Sequence, residues 1–325
     1  MTELAATATS VPGLLSQGRR RAAWGLAFVT GLAFIAADTW AWADPPPHKQ
    51  ATEAPSKDAV LPQVTIRGQR EELENHLWAY VGSIIRQPFE ASLVRWTRPI
   101  CPLVVGLARQ ENKLLAARLS EIAAAAGAQL AHRPCTANFA VILTTEPDAV
   151  LEAWYKRDYH IFGEASEHTI DRFIETSQPV RVWYNIIKEG AGPLSNTAGS
   201  AALAGKGPTG VPVAGGLEGS RLVFNAVRAF SSVIVTIDSK QVTDFNLHQL
   251  ADYAAMVGMV EVRPHADVGA TTPSILRLFA SSTEPAPAGL SAWDTALLKA
   301  LYTTNNRSRT QRTDIFLRVF HDLAP

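Results

Sequence analysis

At 325 residues the chain is long enough for one large domain or two medium ones, and its 47% hydrophobic content excludes disorder over most of its length. Lys plus Arg and Asp plus Glu stand at 30 each, so no net field draws the protein toward nucleic acid or an anionic membrane surface. Nucleic acid is accordingly not an expected partner.

Residues 1–43 read as a secretory signal peptide. Arg19, Arg20 and Arg21 supply the positive end, Ala22 to Ala37 the apolar run, and Ala41-Trp42-Ala43 a small-x-small cleavage site. The apolar run of 16 residues is ended by Asp38, short of the roughly 20 needed to span a bilayer. Cleavage after Ala43 would leave no stable transmembrane anchor and a periplasmic or secreted protein. In such a compartment Cys101 and Cys135, the only two cysteines, are expected to form a disulfide, with two buried free thiols as the alternative.

Residues 44–62 have little to bury and read as a disordered tether. Val64-Thr65-Ile66-Arg67 alternates like a short strand. From Glu71 to Arg86, Leu73, Leu77, Tyr80, Val81 and Ile84 fall at helical spacing, with Pro88 as the stop. Leu93–Trp96 reads as a strand, the stretch Ile100–Leu107 comes next, and a helix follows from Gln110 to Ala126, ended by Gly127. Asn138–Thr144 is an apolar strand, Pro147–Lys156 a helix with proline at its start, and Val180–Asn185 a strand. Residues 63–188 thus interleave strands and helices.

Residues 189–220 carry nine glycines in 32 residues and read as a flexible surface loop or flap. Gly205-Lys206-Gly207-Pro208-Thr209-Gly210 lacks the Gly-x-x-x-x-Gly-Lys-Ser/Thr spacing of a phosphate loop. In residues 221–325, strands are expected at Leu222–Asn225 and Ser232–Asp238. Helices follow around His248, at Ser274–Phe279, at Ser291–Tyr302 and at Arg309–Leu323. The whole reads as α+β, a mixed sheet with packed helices and a mainly helical final third.

The stretch Asn246–Gly258 invites comparison with zinc-protease helices. There, His-Glu-x-x-His places two imidazoles on one helix face and a general-base carboxylate beside the metal-bound water. Here His248 stands first, Gln249 takes the place of the base, Asp252 that of the second imidazole, and Gly258 that of the third ligand. A zinc site would therefore rest on His248 and Asp252 with Glu261, His265 or Asp267, and His265 is the imidazole among them. Without a proton acceptor at Gln249, no catalytic residue is assigned. The competing reading packs Leu250, Tyr253, Ala254 and Val257 inward and pairs His248 with Asp252 four residues on.

Leu247–Tyr253 with Met256-Val257-Gly258, then Pro273–Leu276, then Leu290–Asp294 leading into Leu297–Tyr302, resembles the helix-loop-helix end of zincin-type secreted proteins. It is most similar to an uncharacterised family of exported proteobacterial proteins over roughly residues 230–305. That resemblance implies a fold and no reaction.

Trp154 and Tyr155, in an aromatic and basic run ending at His160, are candidates for a carbohydrate or peptide groove. A packed aromatic belt would carry the same letters. Arg181 and Trp183 share a strand face, as stacking of a guanidinium on an indole requires. The preferred expectation is a non-catalytic, exported binding protein without cofactor, whose partner is a protein or another envelope component. The alternative is a metal-dependent periplasmic hydrolase built on His248 and Asp252.

Overall fold

The computed structural model describes residues 62–85, 91–190, 224, 226–263, 266–280 and 285–324. Among them are seven α-helices and four strands: α1 (Pro62–Ile84), β1 (Pro102–Val105), α2 (Arg109–Ala126), β2 (Phe139–Thr144), α3 (Pro147–Arg157), α4 (Glu167–Glu175), β3 (Val180–Gly190), β4 (Ala226–Asp238), α5 (Leu247–Met259), α6 (Ala292–Thr303) and α7 (Gln311–Leu323). Single 3-10 turns lie at Tyr159–Phe162 and Ile275–Phe279. The expected α+β class is what the chain forms.

The sheet runs β1-β2-β4-β3, with β1, β2 and β4 parallel and β3 antiparallel to β4. Register alone divides its faces: Val104, Val141 and Val235 lie side by side, as do Phe139 with Val233 and Leu143 with Ile237. That face is apolar along β1, β2 and β4 because helices cover it, and it meets Leu119 of α2, Leu250 and Ala254 of α5, Leu77 and Val81 of α1 and Ile315 of α7 in one core. The opposite face carries a smaller cluster of Leu151, Phe162, Ile170 and Ile174, against which Trp183 packs. Strand β4, the last of the described strands, lies between β2 and β3.

The disulfide Cys101–Cys135 is formed. Cys101 precedes β1 and Cys135 precedes β2, so the bond ties the start of one strand to the approach of the next, across 34 residues of a β-α-β unit. Helix α2 ends as its sequence predicts, on Gly127 in the left-handed conformation (φ 94°), whose N–H closes onto Ala123 and Ala124 carbonyls.

Three expectations are corrected. Val64–Arg67 is helical, because α1 begins at Pro62 and propagates through these residues into the stripe of Leu77, Tyr80, Val81 and Ile84. It ends at Ile84, and Pro88 lies outside the described residues. Leu93–Trp96 makes only one strand-like bridge, Arg95 to Ala229. Its polar groups go to helices instead: the Leu93 N–H donates to Gln311 Oε1 (2.8 Å), and the Arg95 guanidinium donates to the Leu301 and Thr304 carbonyls (both 2.8 Å). Helix α4 forms where the periodicity predicts no element. The glycine-rich segment beyond Gly190 and the Leu222–Asn225 strand lie outside the described residues except for Phe224.

Candidate functional site

Helix α5 starts where its letters dictate. The Asn246 side chain accepts from the Gln249 N–H (3.0 Å) and Gln249 Oε1 accepts from the Asn246 N–H (3.1 Å), a reciprocal cap that satisfies two donors of the first turn. Gln249 also donates through Nε2 to the Pro287 carbonyl (2.6 Å). The residue standing where a zinc protease has its general base thus fastens the helix start to the loop before α6.

Asp252 is 1% exposed. Arg118 of α2 grips its carboxylate with two donors on one edge of the guanidinium, Nε to Oδ1 at 2.7 Å and Nη2 to Oδ2 at 3.1 Å, and the Leu290 N–H donates to Oδ2 at 2.8 Å. This pairing offsets the cost of burying the charge. It also raises the Arg118 guanidinium further above its ordinary range, hydrogen bonding to Asp252 being the main cause. His248, with its side chain 57% exposed, reaches Asp252 only at the edge of contact, Nε2 to Oδ2 at 3.4 Å.

The far end of α5 is closed by aromatic donors. The last carbonyls of a helix have no partner inside it. Here Tyr184 Oη donates to the Val257 and Val260 carbonyls (2.7 and 3.2 Å), Trp96 Nε1 to that of Gly258 (2.9 Å) and Tyr302 Oη to that of Met259 (3.1 Å). Burial pushes the phenols of Tyr184, Tyr253 and Tyr302 up, Tyr253 to about 12. Gly258 also lets α5 lie directly on β2, since a Cβ there would stand 2.1 Å from Phe139 Cζ. A histidine at this position has no room. Gly258→Ala is expected to destabilise by about 2 kcal/mol net, an overpacking cost exceeding the helix-propensity gain of about 1 kcal/mol. Urea unfolding reads this, and an unchanged midpoint would mean that Phe139 yields freely.

The remaining metal candidates do not converge. Glu261 Oε1 pairs with Arg228 Nη2 at 3.0 Å, and Asp267 Oδ1 accepts from the Gly269 N–H at 2.8 Å in its own turn. His265 lies outside the described residues. Among the described residues no group of three or more His, Cys, Asp or Glu side chains is arranged to hold a metal ion.

The four groove candidates separate as well. Trp183 rests edge-on against Phe162 and Phe173 (5.3 and 4.9 Å between ring centres), and Tyr155 lies against Phe162. Trp154 is half-buried. Arg181, 4% exposed, shares the face of Trp183 but sends its guanidinium to Asp148 (2.6 Å) and the Ile174 carbonyl, joining β3 to α3 and α4. It lines a polar cleft of about 350 Å³ that none of Trp154, Tyr155 and Trp183 reaches.

A second buried carboxylate went unread in the sequence. Asp294, 0% exposed, accepts at Oδ1 from Tyr80 Oη (2.8 Å) and Ser274 Oγ (2.6 Å), and at Oδ2 from the Ile275 N–H (2.8 Å), the Ser291 N–H (3.0 Å) and Ser291 Oγ (2.9 Å). The signal that would have found it is local: Ser291-x-x-Asp294 is a capping-box spacing at a helix start. No such signal exists for Arg118, which lies 134 residues from Asp252.

Fold and site together define an α+β protein in which the His248 helix is an internal scaffold, capped at both ends and clamped in the middle. Compared with known proteins, the chain matches no family model, no curated protein and no solved structure.

Proposed function

We propose that the chain is a non-catalytic binding protein of the cell envelope, periplasmic or secreted after removal of residues 1–43. The reading keeps the likeness to exported proteobacterial proteins as its family context. One observation carries it: the Asp252 carboxylate is filled by Arg118 and the Leu290 N–H. Zinc bound at Asp252 would compete with both, drawing the carboxylate away from the Arg118 guanidinium and from the Leu290 N–H. The Cys101–Cys135 disulfide suits an oxidising compartment, and among the described residues no helix is long and apolar enough to cross a membrane.

The test combines cell fractionation with metal analysis of protein purified without chelator. The expected result is an envelope or medium fraction whose chain begins at Asp44, with zinc well below stoichiometric and unchanged in His248→Ala. Stoichiometric zinc that disappears in His248→Ala would overturn the non-catalytic reading in favour of a metal-dependent hydrolase. Retention of the uncleaved chain inside the cell would overturn the envelope assignment.

A further inference from the structure

We propose that the groove along the free edge of β1 docks an extended acidic peptide, which adds to the sheet as a further strand. This rests on the binding reading above and names the partner's chemistry. Strand β1 ends the sheet, with β2 on one side only. Just before it, the other side is already in use: the Ile100 N–H donates to the Gln129 carbonyl (2.8 Å) and the Ala131 N–H to the Ile100 carbonyl (2.9 Å). That short pairing stops at Ile100. Because backbone groups alternate sides along a strand, the Pro102 carbonyl and the Val104 N–H and carbonyl face the same outer edge. They form an open template continuing a ladder the protein has begun.

The edge looks into a groove of about 650 Å³ whose far wall is α2. Leu103 and Val105, 41% and 36% exposed, offer apolar surface on one face of the strand, and Ala116 and Ala117 leave the helical wall low. Charge selects the occupant. Arg109 and Lys113 of α2 and Arg133 of the following loop line the groove, and among the described residues no carboxylate does. None of the three forms an ion pair among the described residues, whereas Arg98, Arg118, Arg181 and Arg228 all do. In a chain of balanced charge, this is a local concentration of unpaired cations beside an unpaired strand edge. A peptide alternating apolar and acidic side chains satisfies both, since its backbone meets Val104 while its carboxylates meet the cations. A polyanion without a peptide backbone would use the cations alone.

The test uses the full mature protein and a fluorescent synthetic peptide alternating valine with glutamate. Three controls accompany it: the lysine counterpart, the same acidic peptide N-methylated at alternate residues, and a sulfated polysaccharide. Binding by the acidic peptide is expected, weakened about tenfold by Arg109→Glu or Lys113→Glu, weakened further by added salt, and lost on N-methylation. These positions are exposed, and thermal unfolding of the variants checks that the fold is kept. Equal binding of the N-methylated peptide or tighter binding of the polysaccharide would overturn strand addition. Self-association abolished by Leu103→Lys would make the edge an interface between copies and overturn the peptide assignment. No binding by an exported, zinc-free protein overturns the groove assignment alone, whereas stoichiometric zinc overturns the reading beneath it.

Discussion

Asp294→Ala is expected to lower the unfolding free energy by about 5 kcal/mol, a loss comparable with the whole stability of many domains. The reason is geometric. One carboxylate accepts five hydrogen bonds, from Tyr80 on α1, from Ser274 and Ile275 at the 3-10 turn and from Ser291 at the start of α6. Removing it leaves these donors in the core without partners, and each orphaned donor costs about 1–3 kcal/mol unless water reaches it. Asp294→Asn should fall between, because its amide retains an acceptor oxygen but turns an NH2 group toward donors. Tyr80→Phe removes a single donor and should cost only about 1 kcal/mol. Urea unfolding of the three variants decides the matter. If Asp294→Ala costs no more than Tyr80→Phe, the carboxylate is not the hub that its contacts describe.

The second large effect is alkaline unfolding. Tyr80, Tyr184, Tyr253 and Tyr302 all have phenols raised above the ordinary value near 10 by burial, with the Asp294 charge adding at Tyr80. A phenol raised by folding keeps its proton in the native state while the unfolded chain releases it. Stability is therefore complete below about pH 10 and falls as pH rises toward the native-state values. Each such tyrosine contributes a slope of about 1.4 kcal/mol per pH unit, so four together remove on the order of 5 kcal/mol by about pH 11. In a double variant Tyr155→Phe, Tyr159→Phe, which leaves only these four phenols, phenolate absorbance and circular dichroism followed during the same titration should change together, because ionisation waits for unfolding. Tyr253→Phe should flatten the slope by about a quarter. The unaltered chain has six tyrosines, and in it a phenolate absorbance exceeding that of the other two, Tyr155 and Tyr159, while native dichroism is intact would show that the buried rings titrate in place and would refute the account.

Both effects bear on the function proposed. Tyr184 and Tyr302 close the end of α5, and Asp294 fixes the segment that carries Leu290, whose N–H holds Asp252. The residues that most resemble a catalytic apparatus are thus bound into the network that sets stability, while the unpaired cations lie across α2 at the β1 edge. A protein that recognises a partner on its rim needs such a rigid interior behind it.

Much of this was legible in the sequence, for identifiable reasons. Helical spacing located α2, α3, α5 and α6 to within a residue or two, since periodicity reports which face is buried without knowing against what. Two cysteines allow one pairing, so the disulfide needed no geometry. The failures are equally physical. Val64-Thr65-Ile66-Arg67 has strand-like letters, but an amphipathic helix already under way extends through them at little cost. Helix α4 is short, and its burial rests on Ile170 and Ile174, too few apolar residues to be told from a polar loop without its neighbours.

What the sequence by itself determined was local: the element types, the Asn246–Gln249 cap, and the absence of a proton acceptor and a third imidazole at Gln249 and Gly258. What only the tertiary structure decided was the meaning of those letters. The sheet order β1-β2-β4-β3 brings α5 onto Phe139 and beside Arg118, so Gly258 becomes a point of close approach and Asp252 one half of a clamp. Partners separated by 134 residues leave no periodic trace along the chain, because the packing that joins them is chosen by layers and not by neighbours in sequence.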